Sequence, residues 1–142
     1  MLVDANILIY AADRQSPDHE RAASWLADQI NGAGRVAMPW SSLTAFLRIT
    51  THPRASARPL TPAAAWTFIE DWIAQDAVWI AAPTDRHADV LGALVAKYRP
   101  SGNLVPDTDL AALAIEHGLA ICSTDTDFAR FTEVRWHNPL AD

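Results

Sequence analysis

The residues best equipped for chemistry are acidic and come from opposite ends of a 142-residue chain. Asp4 closes the opening run MLVD, Asp107 and Asp109 form one Asp-x-Asp pair, and Asp125 and Asp127 form another. Carboxylates gathered in one place raise one another's pKa unless a cation neutralises them. An all-oxygen donor set without cysteine or clustered histidine suits Mg²⁺, or Mn²⁺ in its place, and not zinc. Such a centre leaves positions for water and phosphate oxygens, so it points to metal-assisted hydrolysis of a phosphodiester. Taken singly, each acid has a plainer reading. Asp4 shapes a turn, Asp107 caps a helix, and Asp125 forms an Asx-turn. The chemical reading therefore depends on convergence, and convergence depends on the elements that carry the acids.

Residues 1–4 read as a short strand leading into a turn at 4–6. Ser16-Pro17 opens a helix that runs to about Ile30 and stops at the 31–34 run NGAG. Residues 35–38 form a strand, and a helix opening at Ser41 or Ser42 ends before Pro53. After a loop at 51–59, Thr61-Pro62 opens a helix carrying Ala65, Trp66, Ile69 and Ile73 at helical spacing. A strand at 77–81 precedes a helix capped by Thr84, with His87, Leu91, Leu94, Val95 and Tyr98 on one face. A loop at 99–106 leads to a helix at 107–117, stopped by Gly118, then strands at 119–123 and 133–136. This alternation predicts an α/β fold, a single domain over 1–142 with a mainly parallel sheet. Ligands bind such sheets at the carboxyl ends of the strands. Asp4 and Asp125 both leave strands at that edge. The helix that opens at Asp107 starts there too, because the strand after it must run back from its far end.

Nearly the whole chain resembles a known family. The segments VDANILIYA (3–11), PWSSLTAFLRITTHPR (39–54), NLVPDTDLAALAIEHGLAICSTDTDFARF (103–131) and the closing NPL (138–140) are similar to PIN-domain ribonucleases, specifically VapC-type toxins of bacterial VapBC toxin–antitoxin pairs. The resemblance implies a three-layer α/β/α sandwich and Mg²⁺-dependent endoribonuclease activity on RNA. It also implies neutralisation by a cognate antitoxin and two-fold pairing as a homodimer. By position, the family's acids fall on Asp4, Asp107 and Asp125 as metal ligands, with Asp127 matching a further, less regular acid. One departure stands out. The family's Glu three residues before the Arg of the middle helix is Ala45 here, leaving waters or the Ser42 and Thr44 hydroxyls to fill the gap. That departure keeps open a second reading, a catalytically weakened RNA- or protein-binding module. A phosphotransfer domain with an aspartyl nucleophile is disfavoured by Asn6, where a second acid would be wanted, and by a lone lysine, Lys97, on an amphipathic helix.

Asn6, two residues beyond Asp4, is placed to bond that carboxylate or a phosphate, and Thr124 stands beside Asp125 in the same way. The net charge of −6 argues against bulk electrostatic binding to duplex nucleic acid. Yet no acid occurs from Gln29 to Ile69, where Arg35, Arg48, Arg54 and Arg58 give +4, while the remaining residues carry −10. Arg48, Arg54 and Arg58 are accordingly expected to line an RNA backbone. The five histidines are scattered and promise no catalytic or metal role. Of the six tryptophans, Trp40 is the best placed to meet a partner or a base. The apolar faces at 43–47 and 66–73 are generous for one core and suggest contact surfaces. The acidic, non-basic N-terminus and the absence of a long apolar run suggest a cytoplasmic protein away from membranes. The lone Cys122 is expected to be a reduced, buried thiol.

Overall fold

Two-residue strands build the centre of the molecule. The computed structural model describes residues 1–141. Its strands are β1 (Leu2–Val3), β2 (Val36–Ala37), β3 (Val78–Trp79), β4 (Ile121–Cys122) and β5 (Trp136–His137). They pair in the order β3-β2-β1-β4-β5, and all four pairings are parallel. Leu2 lies level with Ala37 on one side and Ile121 on the other, so the first strand is the middle of the sheet.

Six α-helices surround it: α1 (Ala5–Ala12), α2 (His19–Asn31), α3 (Trp40–Thr50), α4 (Pro62–Ile73), α5 (His87–Tyr98) and α6 (Leu104–His117). A 3₁₀ turn follows at Thr126–Arg130. Alternate strand residues face opposite ways. Val3, Val36 and Val78 join Ile7, Leu26, Phe46 and Ile69 in a core under α1–α4. Leu2, Ala37 and Ile121 join Leu94, Leu110, Leu113 and Phe128 in a second core under α5 and α6. The result is three layers, with one apolar core on each face of the sheet. Phe46, Phe128 and Ile121 are fully buried, each contributing about 1.5–3 kcal/mol through removal of apolar surface from water. No helix of the described residues is long and apolar enough to cross a membrane.

The structure departs from the sequence-based expectation at three points that matter. Residues 5–12 are a helix, not a turn, capped by Asp4, whose Oδ1 accepts from Ala5 N at 2.7 Å. α6 begins at Leu104, so Asp107 sits inside its first turn and does not cap it. Ser16 and Thr84 each stand three residues ahead of their helices, which open at His19 and His87. Of the two broad apolar faces, Leu43 and Phe46 are buried, whereas Trp66 and Ile73 are left in solvent. Cys122 is buried, and burial pushes its thiol up to about 11, where it stays protonated and inert.

Candidate active site

Asp4, Asp107, Asp125 and Asp127 come to the carboxyl edge by three routes. Asp4 leaves β1 and caps α1. α6 starts at this edge and returns to β4 through Gly118, whose φ of 64° is readily adopted without a Cβ. Asp125 leaves β4 and opens the 3₁₀ turn, accepting from Asp127 N at 2.9 Å. That turn folds Asp127 back toward Asp125. One carboxylate oxygen from each of Asp107, Asp125 and Asp127 lies within 4.8 Å of the others.

Asp4 stands behind this trio and is held differently. Its Oδ2 accepts from Ser123 Oγ at 2.7 Å and from Asn6 Nδ2 at 3.1 Å. Ser123 Oγ in turn accepts from Asn6 Nδ2 at 2.9 Å and from Asp125 N at 3.0 Å. Asn6 Oδ1 takes the Thr124 N–H at 3.2 Å. Asn6 is thus occupied on both ends of its amide in joining the exits of β1 and β4. Thr124 contributes its backbone to the same brace. Ser123, fully buried, is the hub that sequence reasoning passed over. Its only signal was a lone hydroxyl closing an apolar strand directly before the acidic turn.

The electrostatics separate the acids. Burial, then repulsion from Asp125, Asp4 and Asp127, pushes the Asp107 carboxyl up to about 6. Asp107 accepts no hydrogen bond among the described residues, so no donor offsets its burial. Burial also raises Asp4, against the bonds from Ser123 and Ala5 that favour its charged form. Arg130 is the nearby cation that sequence reasoning missed. Its guanidinium reaches Asp127 Oδ1 at 3.2 Å and partly offsets the rise at Asp107.

The expected basic lining does not gather here. α3 starts at the carboxyl edge and runs away from it, placing exposed Arg48 in its last turn. Arg58 lines a cavity of about 430 Å³ with Ile9, Ala12 and Phe68, beside the C-terminal end of α1. An eight-residue helix is about 12 Å long, so Arg58 stands at the opposite end of α1 from Asp4, and Arg54 belongs to the same loop. Thr44 Oγ1 is turned onto its own helix, donating to Trp40 O at 2.8 Å, and Ser42 Oγ is buried without a partner. Trp40 opens α3, half exposed, and stacks on Trp66 with 6.4 Å between ring centroids.

This arrangement coincides with a family pattern. The PIN domain family matches residues 1–134. The chain belongs to the PIN domain family. Among PIN-domain proteins it is 43% identical over 140 residues to ribonuclease VapC37 of Mycobacterium tuberculosis, covering 99% of this chain and 97% of that one. It is 37% identical over 142 residues to ribonuclease VapC33 of the same species, covering 100% and 99%. In fold this PIN domain resembles a VapBC2 complex from Rickettsia felis bound to a promoter DNA fragment. The TM-score is 0.69 at 14% identity, over 96% of each chain.

Proposed function

We propose that this chain is a metal-dependent endoribonuclease that hydrolyses RNA phosphodiester bonds as the toxin of a toxin–antitoxin pair. One observation carries the reading: three carboxylates within 4.8 Å, one of them raised to about 6 and lacking any hydrogen-bond donor. The ribonuclease names of its relatives and the VapBC identity of a fold neighbour support the class of activity and the antitoxin partner.

The donor set fits a hard divalent cation, because it offers oxygens only, one from each of the three acids. Asp107, Asp125 and Asp127 would hold Mg²⁺ or Mn²⁺, with Asp4 next to them as a direct or water-mediated ligand. When bound, such an ion supplies charge neutralisation at phosphate and acidification of water. The chain's own contribution is positional. Ser123 and Asn6 fix the Asp4 carboxylate, and the 3₁₀ turn fixes Asp125 against Asp127. Arg130 offers guanidinium donors beside the acids for a phosphate oxygen. RNA lying across the carboxyl edge reaches Arg48 only by following α3, and Arg54 and Arg58 only as a longer strand. The exposed Trp40, Trp66 and Ile73 side chains suit contact with an antitoxin segment or a second copy, and a cytoplasmic setting agrees with such a partner.

Cleavage of a structured RNA should appear with Mg²⁺ and vanish with EDTA. RNA that binds but stays intact at saturating Mg²⁺ would instead favour the weakened-module reading that Ala45 suggests.

A further inference from the structure

α6 carries two further carboxylates, Asp109 and Glu116, on the side turned toward α5. They are seven residues apart, two helical turns, and therefore share a face. His87, the first residue of α5, stands between them. Its Nε2 lies 2.8 Å from Asp109 Oδ1, and its Nδ1 contacts Glu116 Oε2. A neutral imidazole donates from one nitrogen only, so satisfying both carboxylates requires the imidazolium. Thr84 completes the clasp, giving Glu116 Oε1 its hydroxyl at 2.6 Å and its backbone N–H at 2.9 Å. The ring is largely covered, with 18% of its surface exposed. The charged groups that face it, Asp109 and Glu116, both come from α6.

Asp107 and Asp109 are two positions apart on one helix, hence about 200° around its axis. The pull on Asp109 and Glu116 therefore sets the rotation that aims Asp107 at Asp125 and Asp127. It also gives Asp109 a cation of its own, so that its charge is met by His87 and not left to add to that of the acidic cluster.

We propose that His87, as an imidazolium, is a positioning residue for the acidic site, clasping Asp109 and Glu116 so that α6 presents Asp107 to Asp125 and Asp127. The proposal rests on the ribonuclease reading above. Glu116 raises the affinity of His87 for its proton, burial opposes this, and Asp109 adds to it, leaving the ring above its ordinary value of 6.5. The clasp is closed below that range and opens as pH rises through the raised value.

The test combines two readouts on the full chain. The first is carboxyl and imidazole NMR titration of the metal-free protein. His87 should titrate above 6.5, and His87→Gln should shift the titration of Asp107. The second is the pH profile of RNA cleavage at saturating Mg²⁺. The wild type should lose activity as His87 deprotonates. His87→Gln should show a kcat lowered about fivefold to tenfold, an unchanged KM, and no such limb. If His87→Gln folds poorly, Asp109→Asn carries the same test, because it should move the alkaline limb to lower pH. An unchanged Asp107 titration together with an unchanged alkaline limb would overturn the proposal. A wild type that cleaves no RNA, with the NMR couplings intact, would instead count against the ribonuclease reading alone.

Discussion

The two edges of the sheet are built from the same helices and are opposite in character. At the carboxyl edge, α1 and α6 begin among four carboxylates with Arg130 as their neighbouring cation. At the far end of α1 and α3, Arg58 and Arg14 border a cavity of mixed polar and apolar lining, with one acid, Asp13, among its walls. The charge segregation along the sequence is real in space, but it separates the charges and does not pair them. The length of α1, about 12 Å, exceeds the screening length of about 8 Å at physiological salt. The arginines therefore do little to neutralise the acids, which remain in want of a cation from outside.

The comparison breaks most sharply at Asp107. Asp107→Asn should cost at least the ~100-fold that losing an outer-shell partner of a metal ligand can cost, read as the rate of Mg²⁺-dependent RNA cleavage. The same change should raise the melting temperature of the metal-free protein near neutral pH. The Asp107 carboxyl is raised from 3.8 to about 6 on folding, so its contribution to stability is present below 3.8 and lost as pH rises to about 6. Asp4→Asn should lower cleavage as strongly but also lower stability, because its new amide would face the Ser123 hydroxyl and Asn6 amide donors. Calorimetric melting of the two variants side by side separates a charge held by donors from one that is not.

A smaller effect follows from the same carboxyl. Below about 6, Mg²⁺ must displace a proton from Asp107, so its affinity should fall about tenfold per pH unit. Isothermal titration at pH 5, 6 and 7 would show the slope, and Asp107→Asn should flatten it. Ala45→Glu should tighten Mg²⁺ severalfold if α3 turns that position to the acids; an unchanged affinity would show that it does not. Smallest of all, Arg54→Ala and Arg58→Ala should leave cleavage of a short RNA within about twofold of the wild type, as expected of exposed side chains remote from the chemistry. A large loss on a short substrate would mean that RNA spans both edges.

The layered architecture was legible because strand and helix signals alternate, and because Pro62, Gly118 and the apolar strand cores punctuate the chain clearly. α1 was not, since ANILIYAA is apolar apart from Asn6 and carries its β-branched Ile7 and Ile9 at a spacing of two, which reads as readily extended as helical. The acids themselves stood out by type and by their place after strands. Which of them draw together did not, because Asp127 reaches Asp107 only through a 3₁₀ turn that spacing does not specify. Ser123 and His87 share a reason for being overlooked. Each acts through partners remote in sequence, Asp4 at a separation of 119 and Glu116 at 29, and a residue whose role is to join distant segments carries no local pattern.

The central place of β1 has a consequence for how the protein comes into being. β1 is flanked by β2, some 35 residues later in the chain, and by β4, whose Ile121 lies level with Leu2. Asp4 receives its Ser123 bond only once residue 123 has been made, and Asp107 and Asp125 arrive on the same late segment. Pairings of such long range form slowly, and only after much of the chain is available. A nascent chain therefore carries Asp4 long before the partners that complete the acidic site, which stays unassembled until residues 107–127 have been made.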